Sequence, residues 1–232
     1  MFRSSLSYYK NPSSSTPVFI TNYLHLKNDT YEKNNSFRNQ PELTTYRIIR
    51  IIQHGNYYYQ LVLNNSVIYT AYSESRYPKL PVLIKPGVDF HFDDDYYDYL
   101  LSPNSKCSRF TLQTSHGGPE INSFSFSRGN SKLHIPPHCE LIFPNYYEKK
   151  NLKYTTKMPY STSKGKWMLD FHNRYVISSA KNFIFVDSEN REGKELLCFR
   201  KVASNEINCD ALHDIQPIVV FGVALGLYLS KM

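Results

Sequence analysis

Residues 217–229, with the sequence PIVVFGVALGLYL, form the most apolar stretch of the chain and decide its fold. The stretch has no charged or amide side chain, and its one polar side-chain group is the hydroxyl of Tyr228. As an α-helix it would be about 20 Å long, well short of the ~30 Å hydrocarbon core of a bilayer. A helix that is apolar on every face and too short to span a membrane is expected to be buried inside a folded domain.

The rest of the chain has the composition of a β-rich protein. It contains 20 Tyr, 14 Phe and a single Trp, and short runs such as TYRIIRIIQ, YYYQLVLNN, SVIYTAYS and SRFTLQTS are separated by turn signals of Asn, Gly, Pro and Ser, such as Asn64–Asn65. This spacing predicts an antiparallel sandwich or barrel. The C-terminal stretch is the one long helix expected, with Asp214 as its N-cap and Pro217 in its first turn.

The N-terminus and the cysteines point to an intracellular protein. The first 19 residues, MFRSSLSYYKNPSSSTPVF, lack the continuous apolar region of a signal peptide. Cys107, Cys139, Cys198 and Cys209 are widely spaced and form no Cys-x-x-Cys pair. We therefore expect four free, reduced thiols.

Charge is distributed unevenly along the sequence, whose net charge is +7. Six lysines and no acid fall between Lys149 and Lys166, whereas the segment from Asp89 to Tyr99 carries five aspartates. The lysine run predicts a cationic face that can attract nucleic acid or an anionic membrane surface. An ordinary solvated loop is the alternative interpretation.

No motif predicts catalysis or metal binding. His134, His138 and Cys139 lie close together in sequence, but the two prolines between the histidines forbid the helical geometry of a zinc motif. The aspartates at 93, 94, 95 and 98 lack the alternation and turn glycine of a calcium loop. No Gly-x-Ser-x-Gly, P-loop or Cys/His nucleophile pattern is present. We expect a non-enzymatic protein without a metal or other cofactor.

Three segments near the C-terminus resemble the tubby domain in their order and content. LDFHNRYVISSAKNFIFV, LLCFRKVASNEINCD and VFGVALGLYLSK are similar to the domain's Asn-Phe-x-Gly-Arg-Val, Ser-Val-Lys-Asn-Phe, Phe-Gly-[Arg/Lys]-Val and Ala-Phe-Ala-Ile-x-Leu-Ser-Ser-Phe patterns. The similarity covers about residues 167–232, and a weaker one involves VLIKP and SRFTL upstream. The matching residues are Phe171, Arg174, Ser179, Lys181, Asn182, Phe183, Phe199, Lys201, Val202, Asp210, Phe221, Ala224 and Leu225.

The resemblance is that of a divergent member, because Asn173 and Arg200 stand where the family has glycines. Scramblase-like and plant defence-associated proteins share the architecture and remain open as alternatives. The resemblance implies a closed antiparallel β-barrel of about twelve strands around a central buried hydrophobic C-terminal helix. Gly222 and Gly226 are four residues apart, and so lie on one face of that helix, where a strand or its aromatic side chains could approach closely. Residues 1–16 are expected to form a flexible tail and residues 17–232 a single barrel domain.

The resemblance also implies a ligand. Tubby-like domains bind phosphoinositide headgroups at the inner face of the plasma membrane through a Lys-x-Arg pair and neighbouring basic residues, whereas Leu100, Leu101 and Ser102 occupy the aligned positions here. The candidate headgroup residues are therefore the nearby cations Arg76, Lys79, Lys85, Lys106 and Arg109. A separate membrane-facing basic patch is predicted from Lys149, Lys150 and Lys153.

Two other classes of function stay open from the sequence. Tyrosines interleaved with lysines in NYYEKKNLKY resemble the composition of single-strand nucleic-acid binders, which would fit a nucleic-acid-binding or transcription-associated module. A protein-interaction scaffold without a ligand is the other class. For the lipid-binding adaptor we expect a monomer without a transmembrane span that is cytoplasmic and peripheral at the plasma membrane; a nuclear location is the alternative.

Overall fold

The computed structural model describes residues 43–89, 97–115, 117–130, 135–144, 151–161, 167–191 and 193–231. They belong to one compact unit that runs from Ser36 to Met232. The predicted tail at residues 1–16, and the N-terminal part of the predicted domain up to residue 42, lie outside the described residues. Both boundaries remain predictions.

Twelve strands of the described chain close into an antiparallel barrel in which each strand pairs with its neighbours, and the last strand pairs with the first. Two further short strands pair with each other in a separate two-stranded antiparallel sheet. The strands are β1 (Leu43–Gln53), β2 (Asn56–Leu63), β3 (Ser66–Ser73), β4 (Val82–Pro86), β5 (Tyr99–Pro103), β6 (Arg109–Thr114), β7 (Glu120–Ser127), β8 (His138–Phe143), β9 (Leu152–Thr156), β10 (Tyr160–Ser161), β11 (Trp167–Met168), β12 (Phe183–Asp187), β13 (Leu197–Ala203) and β14 (Glu206–Leu212). The barrel order is β1 to β9, then β12, β13 and β14.

The alternation of side chains along a strand explains which of them are buried. Phe124 and Phe126 alternate with polar residues along β7, so both rings are buried while intervening serines are half-buried.

Between β2 and β3, Asn64 and Asn65 have φ angles of 49° and 62°. Positive φ at both central positions is the condition for a two-residue turn that matches strand twist, and Asn tolerates it well. The turn predicted from the Asn pair is thus confirmed.

The single described α-helix, α1 (Pro217–Leu229), fills the barrel. Every residue from 218 to 229 is buried. The Tyr228 hydroxyl donates a hydrogen bond to the Ile48 carbonyl of β1 at 3.2 Å, and its ring lies 5.4 Å from the ring of Tyr59. The predicted fold, a closed barrel of twelve strands around a buried apolar helix, is confirmed.

No α-helix in the described part of the chain has the length and apolarity needed to cross a membrane.

The helix begins two residues later than an Asp214 cap would place it. Gln216 is the N-cap residue, it makes no capping hydrogen bond with its side chain, and Pro217 follows in the first turn as expected. Asp214 is instead 2.6 Å from the Nε2 atom of His213. The predicted Asp214 cap is therefore wrong, because two extra residues separate it from the first turn.

The four cysteines are buried and free. Burial is the main cause that raises the pKa of Cys198 to about 12, with the nearby carboxylate of Asp210 next. Burial also raises the pKa values of Cys107, Cys139 and Cys209. A buried thiol with a raised pKa is a poor nucleophile, so these side chains are expected to act as small core residues.

The two helix glycines allow close contact with the strands, as expected. A Cβ atom on Gly222 would lie 2.9 Å from a terminal methyl carbon of Leu112 on β6. A Cβ atom on Gly226 would overlap the ring of Phe124 on β7. The Phe124 ring is itself stacked on Phe110 at 5.5 Å, so it has little room to move, whereas the end of a leucine side chain can rotate.

We expect the substitution Gly226→Ala to destabilise the protein by up to about 2 kcal/mol, since overpacking costs roughly 1–3 kcal/mol and alanine regains only roughly 1 kcal/mol in helix propensity. The matched variant Gly222→Ala should stay within about 1 kcal/mol of the wild type. Urea denaturation of both variants provides the measurement. Equal stabilities for the two, or a more stable Gly226→Ala protein, would contradict the tight fit of the helix.

Candidate functional site

The barrel has two distinct ends because its strands are antiparallel and most are consecutive in sequence. We call the end at which α1 finishes the exit end, and the opposite end the entry end. The exit end carries the β1–β2, β3–β4, β5–β6, β7–β8 and β13–β14 connections. The entry end carries the β2–β3, β4–β5, β6–β7, β8–β9 and β12–β13 connections.

Hydrogen bonds tie the loops of the exit end to the residues after the helix. The Cys107 thiol, in the β5–β6 turn, donates to the Pro78 carbonyl of the β3–β4 loop at 3.4 Å. The backbone N–H of Lys231 donates to the Cys107 carbonyl at 3.4 Å, and Arg128 Nε donates to the Lys231 carbonyl at 2.9 Å. The loops therefore have a fixed arrangement around the last turn of α1.

Lys181 binds the end of the helix. Its ammonium donates to the Leu227 carbonyl and, at 3.5 Å, to the Tyr228 carbonyl. The last carbonyls of a helix lack partners within the helix and carry partial negative charge, and α1 has no basic residue in its own last turn. A lysine from outside the helix thus supplies both the hydrogen bonds and the positive charge.

The backbone around Lys181 is held by side-chain hydrogen bonds. Its N–H donates to the hydroxyl of Ser179 at 3.2 Å. The amide of Asn182 donates to the Ile177 carbonyl at 2.8 Å and accepts from the backbone N–H of Lys201 at 2.8 Å. The segment before β12 is therefore fastened to β13, which brings Lys181 and Lys201 near each other.

Three further cations lie close enough to Lys181 to affect its pKa. Arg50 lies with its Cζ 5.4 Å from the ring centroid of Tyr228, and Lys181 Nζ lies 5.9 Å from the same centroid. The pKa of Lys181 is lowered to about 8, first by burial and then by the positive charges of Arg76, Lys201 and Arg50. We call these four residues, Arg50, Arg76, Lys181 and Lys201, the helix-end cluster.

The cluster carries more positive charge than its described neighbours balance. Among the described residues, no carboxylate forms an ion pair with Arg76, Lys181 or Lys201. The nearby Glu206 accepts instead from Arg47 Nε at 2.9 Å.

One N–H donor of the Arg50 side chain is not used within the described part of the chain. Its Nη2 donates to the Ser204 carbonyl at 3.2 Å, but its buried Nε has no hydrogen-bond partner in the described part of the chain. Grouped like charges repel one another, so an anion with several oxygen atoms would lower the energy of this arrangement. The cluster is chemically suited to a phosphate group.

Four of the five predicted headgroup residues lie at the exit end. Arg76 belongs to the helix-end cluster, and Lys79 follows in the same β3–β4 loop. Lys106 is in the β5–β6 turn and Arg109 begins β6. All four side chains are exposed, so the structure brings together cations that the sequence placed up to 33 positions apart, from Arg76 to Arg109.

Lys85 does not join them, and this prediction needs correction. It lies near the end of β4, toward the entry end, and is only 2% exposed. Its ammonium is 2.9 Å from the carboxylate of Asp89. A buried ammonium that is already ion-paired is a poor candidate for binding a headgroup.

The predicted membrane-facing patch is only partly described. Lys149 and Lys150 lie outside the described residues. Lys153 is exposed near the start of β9, at the entry end. Lys153 and Arg76 are therefore at opposite ends of the barrel and cannot contact one flat membrane surface together.

The positions aligned with the family's Lys-x-Arg pair have a different character. Leu100 lines a groove with Tyr72, Leu83 and Tyr97, while Leu101 is fully buried. Lys79 is a cation that contributes to this groove. An apolar and aromatic lining cannot replace the charge-assisted bonds that phosphates require.

The described residues contain no group of three or more His, Cys, Asp or Glu side chains that could hold a metal ion. The ring nitrogens of His138 lie 2.9 Å and 3.2 Å from the hydroxyl oxygens of Thr156 and Thr155. His134 and the aspartates at 93–95 lie outside the described residues.

Comparison with known protein families identifies the family of this chain. The model of the Tub family matches residues 102–228, which is more than half of the chain. The chain belongs to the Tub family. The match runs from the end of β5 through the last turn of α1, and it supports the resemblance to the tubby domain. No curated protein matches the chain.

The two departures from the Tub family's glycines have separate physical explanations. Asn173 has a φ angle of 61°, a left-handed conformation that asparagine adopts more easily than most residues. Arg200 uses its side chain: Nη2 and Nε donate to Asp210 at 2.8 Å and 3.1 Å. Asp210 also accepts from Arg174 at 2.5 Å and from Thr45 at 2.7 Å. This network connects β1, β13 and β14 to the segment that carries Lys181.

The sequence did not reveal three members of the helix-end cluster as site residues. Arg50 is an isolated charge on a strand, and nothing in its local pattern distinguishes it from a solvent-facing residue. Lys181 and Lys201 were among the residues that match the tubby pattern, but without a role. Two lysines without an assigned role in matched motifs, together with a helix that lacks a basic last turn, were the available clue.

Proposed function

We propose that this Tub-family protein binds phosphoinositide-containing membranes with its exit end, and that the helix-end cluster receives the headgroup phosphates. The proposal depends on the position of Arg50, Arg76, Lys181 and Lys201, which lie together at the end of α1. Among the described residues, no carboxylate forms an ion pair with Arg76, Lys181 or Lys201. The ligand must be an anion with several charges, since one singly charged group would leave most of the cluster unbalanced.

The geometry of the donors favours phosphate. The two arginines offer planar forks that bind two oxygens at once, and the lysines offer compact charges with several donors each. Lys181 directs two of its donors to the helix carbonyls and has a third to share. Hydrogen bonds between charged partners are about twice as strong as neutral ones.

The exposed cations around the cluster would supply a less selective attraction. Lys79, Lys106 and Arg109 are exposed at the same end as the cluster. Each basic residue near an anionic leaflet adds about 1 kcal/mol, and salt screens this contribution over a Debye length of about 10 Å at 0.1 M. We expect selectivity from the cluster and general affinity from the surrounding cations.

Membership of the Tub family supports this choice of ligand, because the resemblance to the tubby domain implies phosphoinositide binding. The family's Lys-x-Arg pair has no counterpart here, so in this proposal the helix-end cluster binds the phosphates instead. The protein then acts as an adaptor that is peripheral at the inner face of the plasma membrane.

Charge reversal at the two ends of the barrel tests the proposal. The double variant Arg76→Glu, Lys201→Glu should lose the preference for phosphoinositide vesicles over phosphatidylserine vesicles of equal charge. The control Lys153→Glu, Lys194→Glu makes the same change in net charge at exposed entry-end positions and should keep the preference. Vesicle sedimentation at several salt concentrations measures both.

Two results would overturn the proposal. If the wild-type protein does not sediment with phosphoinositide vesicles even at low salt, the membrane-binding function is wrong and a scaffold role replaces it. If nucleic acid binds in a shift assay while vesicles do not, the nucleic-acid alternative is correct.

The lowered pKa of Lys181 gives the site a pH dependence. Its ammonium loses a proton as the pH rises through about 8, whereas phosphate monoesters stay doubly charged because their second pKa is about 6. A bound anion would raise the pKa of Lys181 again, so the ammonium would lose its proton at a higher pH. We expect binding of the soluble headgroup inositol trisphosphate to weaken about tenfold between pH 7 and 9.5, since a bond to a charged group contributes roughly 1.5–3 kcal/mol.

The variant Lys181→Arg keeps its charge over this range and should bind with little change between pH 7 and 9.5. Isothermal titration calorimetry measures both proteins. A steep loss of binding in the arginine variant would show that another group is responsible.

A further inference from the structure

The exit end also carries large apolar side chains that are exposed. Leu80 is 62% exposed and Tyr77 is 38% exposed, both in the β3–β4 loop, and Ile52 near the end of β1 is 58% exposed. Single exposed apolar residues are common on protein surfaces. These three share the end of the barrel that holds the helix-end cluster, and that combination calls for an explanation.

The β3–β4 loop is held in place. Pro78 and Pro81 restrict its backbone, and the buried Cys107 thiol bonds to the Pro78 carbonyl at 3.4 Å. The ring of Tyr77 lies 5.3 Å from Arg76 Cζ and 5.2 Å from Lys231 Nζ. The loop therefore presents its exposed apolar side chains in a defined position, where Tyr77 and Leu80 form one edge of the groove beside Leu100.

The alternation of cations and apolar residues in this loop is typical of a membrane interface. In Arg76, Tyr77, Pro78, Lys79, Leu80 and Pro81, each of the two cations precedes a large exposed apolar side chain. At a bilayer surface, tyrosine and leucine enter the boundary between headgroups and acyl chains while lysine and arginine remain among the phosphates. The surrounding positive charge favours an anionic lipid surface over an apolar protein surface as the partner.

We infer that Ile52, Tyr77 and Leu80 insert into the interfacial layer of the bilayer while the helix-end cluster holds a headgroup. This inference rests on the proposed function, and it adds a hydrophobic contact that a soluble headgroup cannot make. Stable attachment to a membrane generally needs two such contributions. The insertion contributes affinity for the membrane that does not depend on the headgroup phosphates.

A fluorescent label tests insertion directly. The native cysteines are all buried, so the variants Leu80→Cys and Val88→Cys can each be labelled with an environment-sensitive fluorophore. Val88 is 63% exposed in the β4–β5 connection at the entry end and serves as the control. Vesicles that contain phosphatidylinositol bisphosphate should shift the emission of the label at position 80 to the blue and leave the label at position 88 unchanged.

Binding measurements separate this inference from the proposed function. The variant Ile52→Ser, Leu80→Ser should bind these vesicles about tenfold more weakly but bind inositol trisphosphate as the wild type does, and Val88→Ser should match the wild type in both. Unchanged vesicle binding and no blue shift, with headgroup binding intact, would overturn insertion and leave the proposed function standing. If the wild-type protein binds neither vesicles nor inositol trisphosphate, the proposed function fails and insertion fails with it.

Discussion

The burial of a helix that is apolar on all sides constrains the rest of this structure. Such a helix must be surrounded, and twelve strands surround α1. Its carbonyl groups at the last turn then need partners that solvent cannot easily supply in a closed barrel. Lys181 meets that need from the segment before β12. The requirement for a cation at the end of the helix is thus built into the fold, and the other cations of the helix-end cluster gather around it.

The two ends of the barrel consequently differ in how their charges are grouped. Arg50, Arg76, Lys181 and Lys201 meet at the exit end, whereas the entry end combines Asp89, Asp98 and Asp214 with the exposed Lys153 and Lys194. Under the proposed function, the grouped cations would orient the protein on an anionic surface with the exit end facing the lipid. The exposed apolar residues of the β3–β4 loop then face the same surface. The proposed orientation, headgroup binding and insertion all depend on the position at which α1 ends.

Much of the fold could be predicted from the sequence because the decisive features are local. The apolar stretch, the Asn64–Asn65 turn and the two helix glycines each depend on neighbouring residues, and the structure bears them out. The site depends on distant residues. Arg50 and Lys201 approach each other only because β1 pairs with β14 and β14 pairs with β13. Lys85 lies six residues from Lys79 in sequence, yet β4 carries it toward the other end of the barrel. The short sequence distance between Lys79 and Lys85 suggested that they lie together. The direction of β4, which separates them, could not be read from the sequence.

A crystal structure of the protein with inositol trisphosphate would test the central claim most directly. The phosphates should lie within hydrogen-bond distance of Arg76, Lys181 and Lys201 at the exit end, with Arg50 Nε donating to one of them. Phosphates bound in the groove beside Leu100, or at Lys153 on the entry end, would show that the helix-end cluster is not the headgroup site.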